Sequence, residues 1–268
     1  MSDPASLKPD SWGDGQNYEA YMGRWSRRIA RLFVEWLEPA AGLDWLEVGC
    51  GTGALTGTVL ASTEPRSILA IDPSAPFVEY ARRTLPDARV LFEVGSASEL
   101  PAKDASADAV VSALAYNFFP DRRKALAEML RVAKPGGRIA FYVWDYPGGG
   151  MGFMDAFWKA AIAVDPNAES AGERSRFPFC TPDGLREELQ AAGAINVETR
   201  AIEVSARFED YEDLWAPFTR GTGPAPAYFK RLEAKMQDAL RQRLAAQVGD
   251  SVPIEFPARA WAVRARKA

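Results

Sequence analysis

Short apolar runs of five or six residues recur through the first half of the chain, at 44–48, 67–71, 90–94, 109–113 and 138–143. Runs of that length, bounded by glycine, proline or charged residues, predict strands buried on both faces. The stretches between them, 54–61, 75–84 and 122–133, carry apolar residues at helical spacing, with Leu126, Met129, Leu130 and Val132 forming the stripe of the last. Lys134-Pro135-Gly136-Gly137 stops that helix, because proline cannot continue it and glycine permits the turn. The alternation predicts an α/β fold with a parallel sheet and helices on both faces. Further on, Thr181 is placed to cap a helix that begins at Pro182 and ends at Gly193. Strands follow at 195–208 and 258–266. Residues 1–16 read as a polar tail, and Tyr18, Tyr21, Met22, Trp25, Ile29, Leu32, Phe33 and Trp36 fall at helical spacing, with Gly23 dividing two helices. Segments 146–180 and 209–255 stand outside the strand–helix rhythm. The second predicts one long helix with the stripe Phe229, Leu232, Met236, Leu240, Leu244 and Val248.

The first strand ends in Glu47-Val48-Gly49-Cys50-Gly51-Thr52-Gly53, with glycines at alternate positions. Such a turn lets a ligand approach the main chain. Asp72 lies nineteen positions beyond Gly53, at the end of the second strand. A glycine turn with an acid about 20 residues on is the layout of a site for a nucleoside with free ribose hydroxyls. With Ala54 counted, the turn also fits the relaxed dinucleotide pattern. Glu47 separates the two: a carboxylate repels a pyrophosphate but suits the ammonium and sulfonium of S-adenosylmethionine.

Four segments in this order, Leu46 through Gly53, Ala70-Ile71-Asp72-Pro73-Ser74, Gly95 through Pro101 and Arg131 through Arg138, resemble the class I S-adenosylmethionine-dependent methyltransferases. The similar branch is the small-molecule one that includes the ubiquinone and menaquinone biosynthesis methyltransferases, and the likeness runs to about residue 145. It implies a Rossmann-like, mostly parallel seven-stranded sheet whose final strand inserts antiparallel between its neighbours, with a helical cap from the inserted segments. The organisation expected is a tail and lid helix over 1–30, a core of 31–145, 181–208 and 256–268, and cap insertions at 146–180 and 209–255. The cofactor set implied is Tyr21, Arg24, Glu47, Gly49, Cys50, Gly51, Gly53, Asp72, Pro73, Ser96, Ala97 and Ala113. In similar enzymes the N-terminal helices close over the cofactor, so Arg24, or failing that Arg27, is expected to pair with its carboxylate, under Tyr21 and Trp25. Ser96 stands where the family often has an acid for the adenine amino group, which leaves main-chain groups of Ser96 and Ala97 to serve.

Composition narrows the chemistry further. The 268 residues carry 32 basic and 36 acidic side chains, a net charge of −4, which argues against a nucleic-acid binder relying on basicity. No run of about 18 apolar residues predicts a membrane span, and Met1 to Ser6 lacks a signal pattern, so a cytoplasmic location is expected. Cys50 and Cys180 cannot make a structural zinc site and read as reduced thiols. The chain has no histidine, which removes the commonest general base and transition-metal ligand. No metal is expected and no catalytic residue is named. Methyl transfer tolerates this, because the leaving group is already activated and the protein mostly positions two reactants. The expected function is transfer of a methyl group from S-adenosylmethionine to a small organic acceptor at N, O or C. A cofactor-binding regulatory or structural protein without catalysis and an NAD-dependent oxidoreductase are the alternatives. Asn117 and Trp144, at carboxyl ends of strands, and Phe153, in the aromatic-rich insert, are expected to face the acceptor.

Overall fold

The computed structural model describes residues 23–220 and 223–268. Its frame is one seven-stranded sheet with strands β1 (Asp44–Val48), β2 (Ser67–Asp72), β3 (Val90–Val94), β4 (Ala107–Ala113), β5 (Ala133–Trp144), β6 (Ile195–Phe208) and β7 (Ile254–Arg266), in the spatial order β3-β2-β1-β4-β5-β7-β6. Strands β1 to β5 pair in parallel; β7 is antiparallel to both β5 and β6, between which it lies. The strand order reverses at β1 and β4, which opens a crevice beyond their carboxyl ends.

Strand alternation sends successive side chains to opposite faces. Trp45, Ile68, Ala109, Val111, Ala140 and Tyr142 point to one layer, and Leu46, Ile71, Val110, Ile139 and Phe141 to the other. The first layer is covered by α1 (Arg24–Leu37), α2 (Ala54–Ser62), α3 (Ala75–Thr84) and α5 (Gly152–Val164). The second is covered by α4 (Arg122–Val132) and α7 (Pro182–Ala191); α6 (Glu173–Arg176) is a single turn between α5 and α7. Asp121 and Thr181 cap α4 and α7 by accepting from Lys124 N and Gly184 N.

Trp25, Ile29, Phe33 and Leu37 recur every four residues of α1 and are all essentially inaccessible. Burial of each such side chain contributes roughly 1.5–3 kcal/mol. Phe33 meets Tyr142 at 4.7 Å and Trp25 meets Phe208 at 5.2 Å between ring centres. The helix's last carbonyls accept from Arg264 (to Trp36 O) and Arg138 (to Leu37 O), cations suited to a helix carboxyl end. The boundary expected at residue 30 therefore falls inside a continuous helix.

Three further sequence expectations differ from the fold. Strand β5 starts at Ala133, five residues before the expected 138, because Ala133 pairs with Ala107 and the Gly136-Gly137 turn exchanges hydrogen bonds with Lys267. Within 209–255 the long helix expected to carry the stripe Phe229 to Val248 is two, α9 (Pro224–Arg231) and α10 (Ala234–Val248), and α8 (Tyr211–Arg220) precedes them. The stripe from Phe229 to Val248 crosses the break at Leu232 and Glu233 with its spacing kept, so periodicity does not reveal it. Strand β7 begins at Ile254, opposite Phe208, rather than at 258.

Candidate cofactor and acceptor site

A cavity of about 510 Å³ opens where β1 and β4 end. Its floor is the turn from β1 into α2. Gly49 N and Cys50 N both donate to Ile71 O, at 2.7 and 3.0 Å, which ties the turn to β2. Gly49 and Gly51 have φ of +75° and +53°. A Cβ on Gly49 would lie 2.4 Å from Ala115 Cβ, whereas one on Gly51 would meet nothing nearer than Phe77 at 4.0 Å. Gly49 is thus needed for packing, and Gly51 leaves open the space a ligand can use. Gly53, also at positive φ, packs against Leu85 and does not line the cavity.

Two carboxylates sit at this end. Glu47 points to the face covered by α2, where Thr56 Oγ1 donates to Glu47 Oε2 at 2.5 Å. Oε1 has no hydrogen-bond partner, although Glu47 is only 2% exposed and lines the cavity. Burial raises its pKa from 4.5 to about 8, against the lowering effect of the Thr56 hydroxyl and with a further push from Asp72. Asp72, 8% exposed, accepts from Gly51 N (2.9 Å) and Ser74 N (2.8 Å). Burial raises its pKa too, partly offset by these two N–H groups. Desolvation likewise lifts the Cys50 thiol, beside both acids, well above its ordinary value, which favours the neutral thiol. Buried carboxylates with spare acceptor capacity suit a cationic, hydroxyl-bearing ligand.

Pro73, Ser96, Ala97 and Ala113 also line the cavity. The Ser96 hydroxyl accepts from Ser98 N at 3.2 Å, within its own turn. Beyond Ala113 the chain passes Leu114, at φ +56°, into the 3₁₀ turn Tyr116–Phe118. That turn brings Asn117 to the cavity wall, where it is 4% exposed and its Nδ2 has no partner. Trp144, at the end of β5, lines the same cavity.

Other expected residues lie elsewhere. Phe153 does not line the cavity: it is fully buried on α5, with ring centres 5.0 Å from Trp25, 5.4 Å from Phe208 and 6.0 Å from Phe218. Its place in the helix's apolar stripe, facing the sheet and α8, takes it into the core. Trp25 belongs to the same cluster and forms no cover over the site. Arg27 is exposed and outside the cavity wall. Tyr21 and the Arg24 side chain lie outside the described residues.

Tyr146 and Phe177, aromatics of the insert after β5, do line the cavity, together with Met154, Glu173 and Arg176 from the same insert and Pro224 from α9, four residues that carried no sequence signal. Glu173 is 2% exposed and accepts a hydrogen bond from Trp158 Nε1. Thr56 was also missed, though its position on the helix after the glycine turn is a usable signal. Among the described residues no group of three His, Cys, Asp or Glu is arranged to hold a metal, and no helix is long and apolar enough to cross a membrane.

Comparison with known proteins places this geometry. Residues 46–141 match a family described as a methyltransferase domain. An uncharacterized methyltransferase of Mycobacterium tuberculosis is 37% identical over 112 residues, 42% of this chain and 44% of that protein. The demethylmenaquinone methyltransferase of Renibacterium salmoninarum is 35% identical over 131 residues, 47% of this chain and 51% of that protein. The chain thus spans about half the length of these curated relatives. The nocamycin O-methyltransferase of Saccharothrix syringae is 27% identical over 213 residues, covering 74% and 75%. Among solved structures, Haemonchus contortus phosphoethanolamine N-methyltransferase 2 in complex with S-adenosyl-L-methionine has a TM-score of 0.59 at 15% identity, covering 94% of this chain and 56% of that one. A (4+2)-cyclase has a TM-score of 0.55 at 21% identity, covering 98% and 89%. Residues 46–141 thus match a methyltransferase domain, and the sheet that they and the rest of the chain build has the Rossmann-like fold seen in solved S-adenosylmethionine-dependent methyltransferases.

Proposed function

We propose that the protein binds S-adenosylmethionine and transfers its methyl group to a small, largely apolar acceptor. The observation that carries this reading is the buried Glu47, which lines the cavity at the strand-order switch and whose Oε1 has no partner. A buried carboxylate oxygen without a donor costs about 1–3 kcal/mol or more, which an ammonium would relieve. The residues fit the cofactor otherwise: Gly51 leaves open space, Asp72 keeps acceptor capacity for ribose hydroxyls, and Phe77 and Ala97 offer apolar walls. The bound cofactor would supply a methyl group on a sulfonium. The chain's own part is to position the acceptor and exclude water. The aromatic residues Phe118, Trp144, Tyr146 and Phe177 support an apolar acceptor held under a cap from segments 146–180 and 209–255. Relatives named as O-methyltransferases support a small-molecule acceptor. With Cys50 and Cys180 buried and unpaired, we place the protein in the reducing cytoplasm.

Calorimetric titration tests the cofactor. S-adenosylmethionine and S-adenosylhomocysteine are expected to bind and NAD is not; tight NAD binding with no response to the other two overturns the reading. Release of S-adenosylhomocysteine with a panel of small acceptors then separates a transferase from a protein that only binds.

A further inference from the structure

The acceptor end of the cavity holds a second buried polar atom in need of a partner, and its chemistry differs from that of Glu47. Asn117 Nδ2 is a donor with no acceptor. The backbone around it is held firmly. Tyr116 stacks on Phe141 at 4.1 Å, and its hydroxyl donates to Glu188. Arg122 grips the same carboxylate through Nε (3.0 Å) and Nη2 (2.9 Å), while its guanidinium lies 3.6 Å over the Phe179 ring. On the other side Leu114 N bonds to Tyr142 O at 2.9 Å. Asn117 therefore sits at a fixed position on the cavity wall, with an amide donor that no protein group satisfies.

An amide N–H directed at a nucleophile discriminates between nucleophiles. A neutral amine has one lone pair, and a hydrogen bond to that pair removes the electrons that must attack. A phenolic or enolic oxygen accepts a hydrogen bond and keeps a second pair for reaction, and the donor also stabilises negative charge developing on that oxygen. The chain offers no histidine to take the proton, so a group that acidifies the acceptor has added value.

We propose that Asn117 is the residue that selects an oxygen nucleophile: the acceptor is a planar phenol or enol whose oxygen accepts a hydrogen bond from Asn117 Nδ2. This rests on the proposed function and names the acceptor class for that site. In the transfer the acceptor oxygen bonds to the methyl carbon as the carbon–sulfur bond breaks with its electron pair going to sulfur, and the acceptor's proton passes to solvent.

The test uses the full chain saturated with S-adenosylhomocysteine and three probes of one shape: 2-naphthol, 2-naphthylamine and naphthalene, read by ligand-observed NMR near pH 7.5. 2-Naphthol is expected to bind about tenfold more tightly than the other two, the worth of one otherwise unmet buried hydrogen bond. Asn117→Ala and the closer isostere Asn117→Leu should each remove that advantage and leave naphthalene affinity within about twofold. A preference for 2-naphthylamine means the amide presents its oxygen, and it overturns the proposal. So do equal affinities, failure of all three probes to bind, or a 2-naphthol advantage that survives in both variants. The affinity for S-adenosylhomocysteine is measured first: its absence in the unaltered protein sinks the proposed function, while its presence with no Asn117 effect sinks this inference alone.

Discussion

Glu47 ties stability, cofactor binding and pH together, and its substitution by glutamine separates them. Its pKa is about 8 in the fold against an ordinary 4.5. Between those values the folded protein holds a proton on Glu47 that the unfolded chain has lost. The stabilisation is whole below about pH 4.5 and disappears as pH climbs through 8, falling by roughly 1.4 kcal/mol per pH unit in that window. Glu47→Gln keeps an amide oxygen for the Thr56 hydroxyl but has nothing to titrate. Asp72 is present in both proteins, so its own raised pKa largely cancels in the comparison. The variant should therefore gain stability relative to the unaltered protein as pH rises, by about 2.7 kcal/mol between pH 5.5 and 7.5. Urea titrations at four or five pH values measure it. Cofactor binding gives an independent readout. An ammonium at Oε1 favours the carboxylate, so binding at pH 6.5, where an α-amino group is still charged, should release close to one proton from the unaltered protein and none from Glu47→Gln. Calorimetry in two buffers of different ionisation enthalpy counts that proton. Parallel stability curves for the two proteins, with no proton released, would refute the reasoning and mean that Glu47 is ionised in the empty site.

Three further outcomes follow from the packing. Gly49→Ala should lose roughly 1–3 kcal/mol more stability than Gly51→Ala, since only the former drives a methyl into Ala115, while Gly51→Ala should weaken S-adenosylhomocysteine binding by filling the cavity; melting and titration of the pair check both. Phe153→Ala should cost about 3–5 kcal/mol and leave acceptor preference unchanged, whereas Trp144→Ala should alter acceptor affinity with a smaller stability loss; a change of acceptor preference in Phe153→Ala would contradict its placement. Arg259→Met leaves Asp145, 2% exposed, without the guanidinium that holds it at 2.8 and 2.6 Å, and should cost about 2–3 kcal/mol, less than a fully buried pair because Arg259 is itself one-third exposed. Chemical denaturation measures that loss.

The sequence was most readable where local chemistry and the fold agree. The runs that became β1 and β3 match their strands residue for residue, because such runs lie between turn-forming residues that no tertiary contact overrides. The glycine turn was equally plain, since positive φ and close approach leave few alternatives to glycine. Less readable were features decided across the chain. The early start of β5 depends on Lys267, more than 100 residues away, and the split of the striped helix at Leu232 and Glu233 is hidden by an apolar stripe that stays in phase across the break. Phe153 looked like a pocket residue because an aromatic insert beside a site resembles a cap, and composition cannot say which ring turns inward to the sheet. Glu173 and Arg176 come from a single helical turn with no period to betray it.

The distribution of charge in the cavity bears on how the proposed transfer can proceed without a histidine. Transfer from a sulfonium quenches a positive charge. Surroundings that solvate that charge poorly favour the transition state over the reactants. Here Glu47 and Asp72 stand at the ends of β1 and β2, whereas Phe118, Phe119, Trp144, Tyr146 and Phe177 contribute rings to the wall. Negative charge is thus available to anchor the outer parts of a cationic cofactor, and much of the wall around it is apolar. The donor on Asn117 adds polarity where an acceptor oxygen would develop charge. A fold so equipped needs geometry more than acid–base chemistry. Product assay is therefore the measurement that separates transfer from binding.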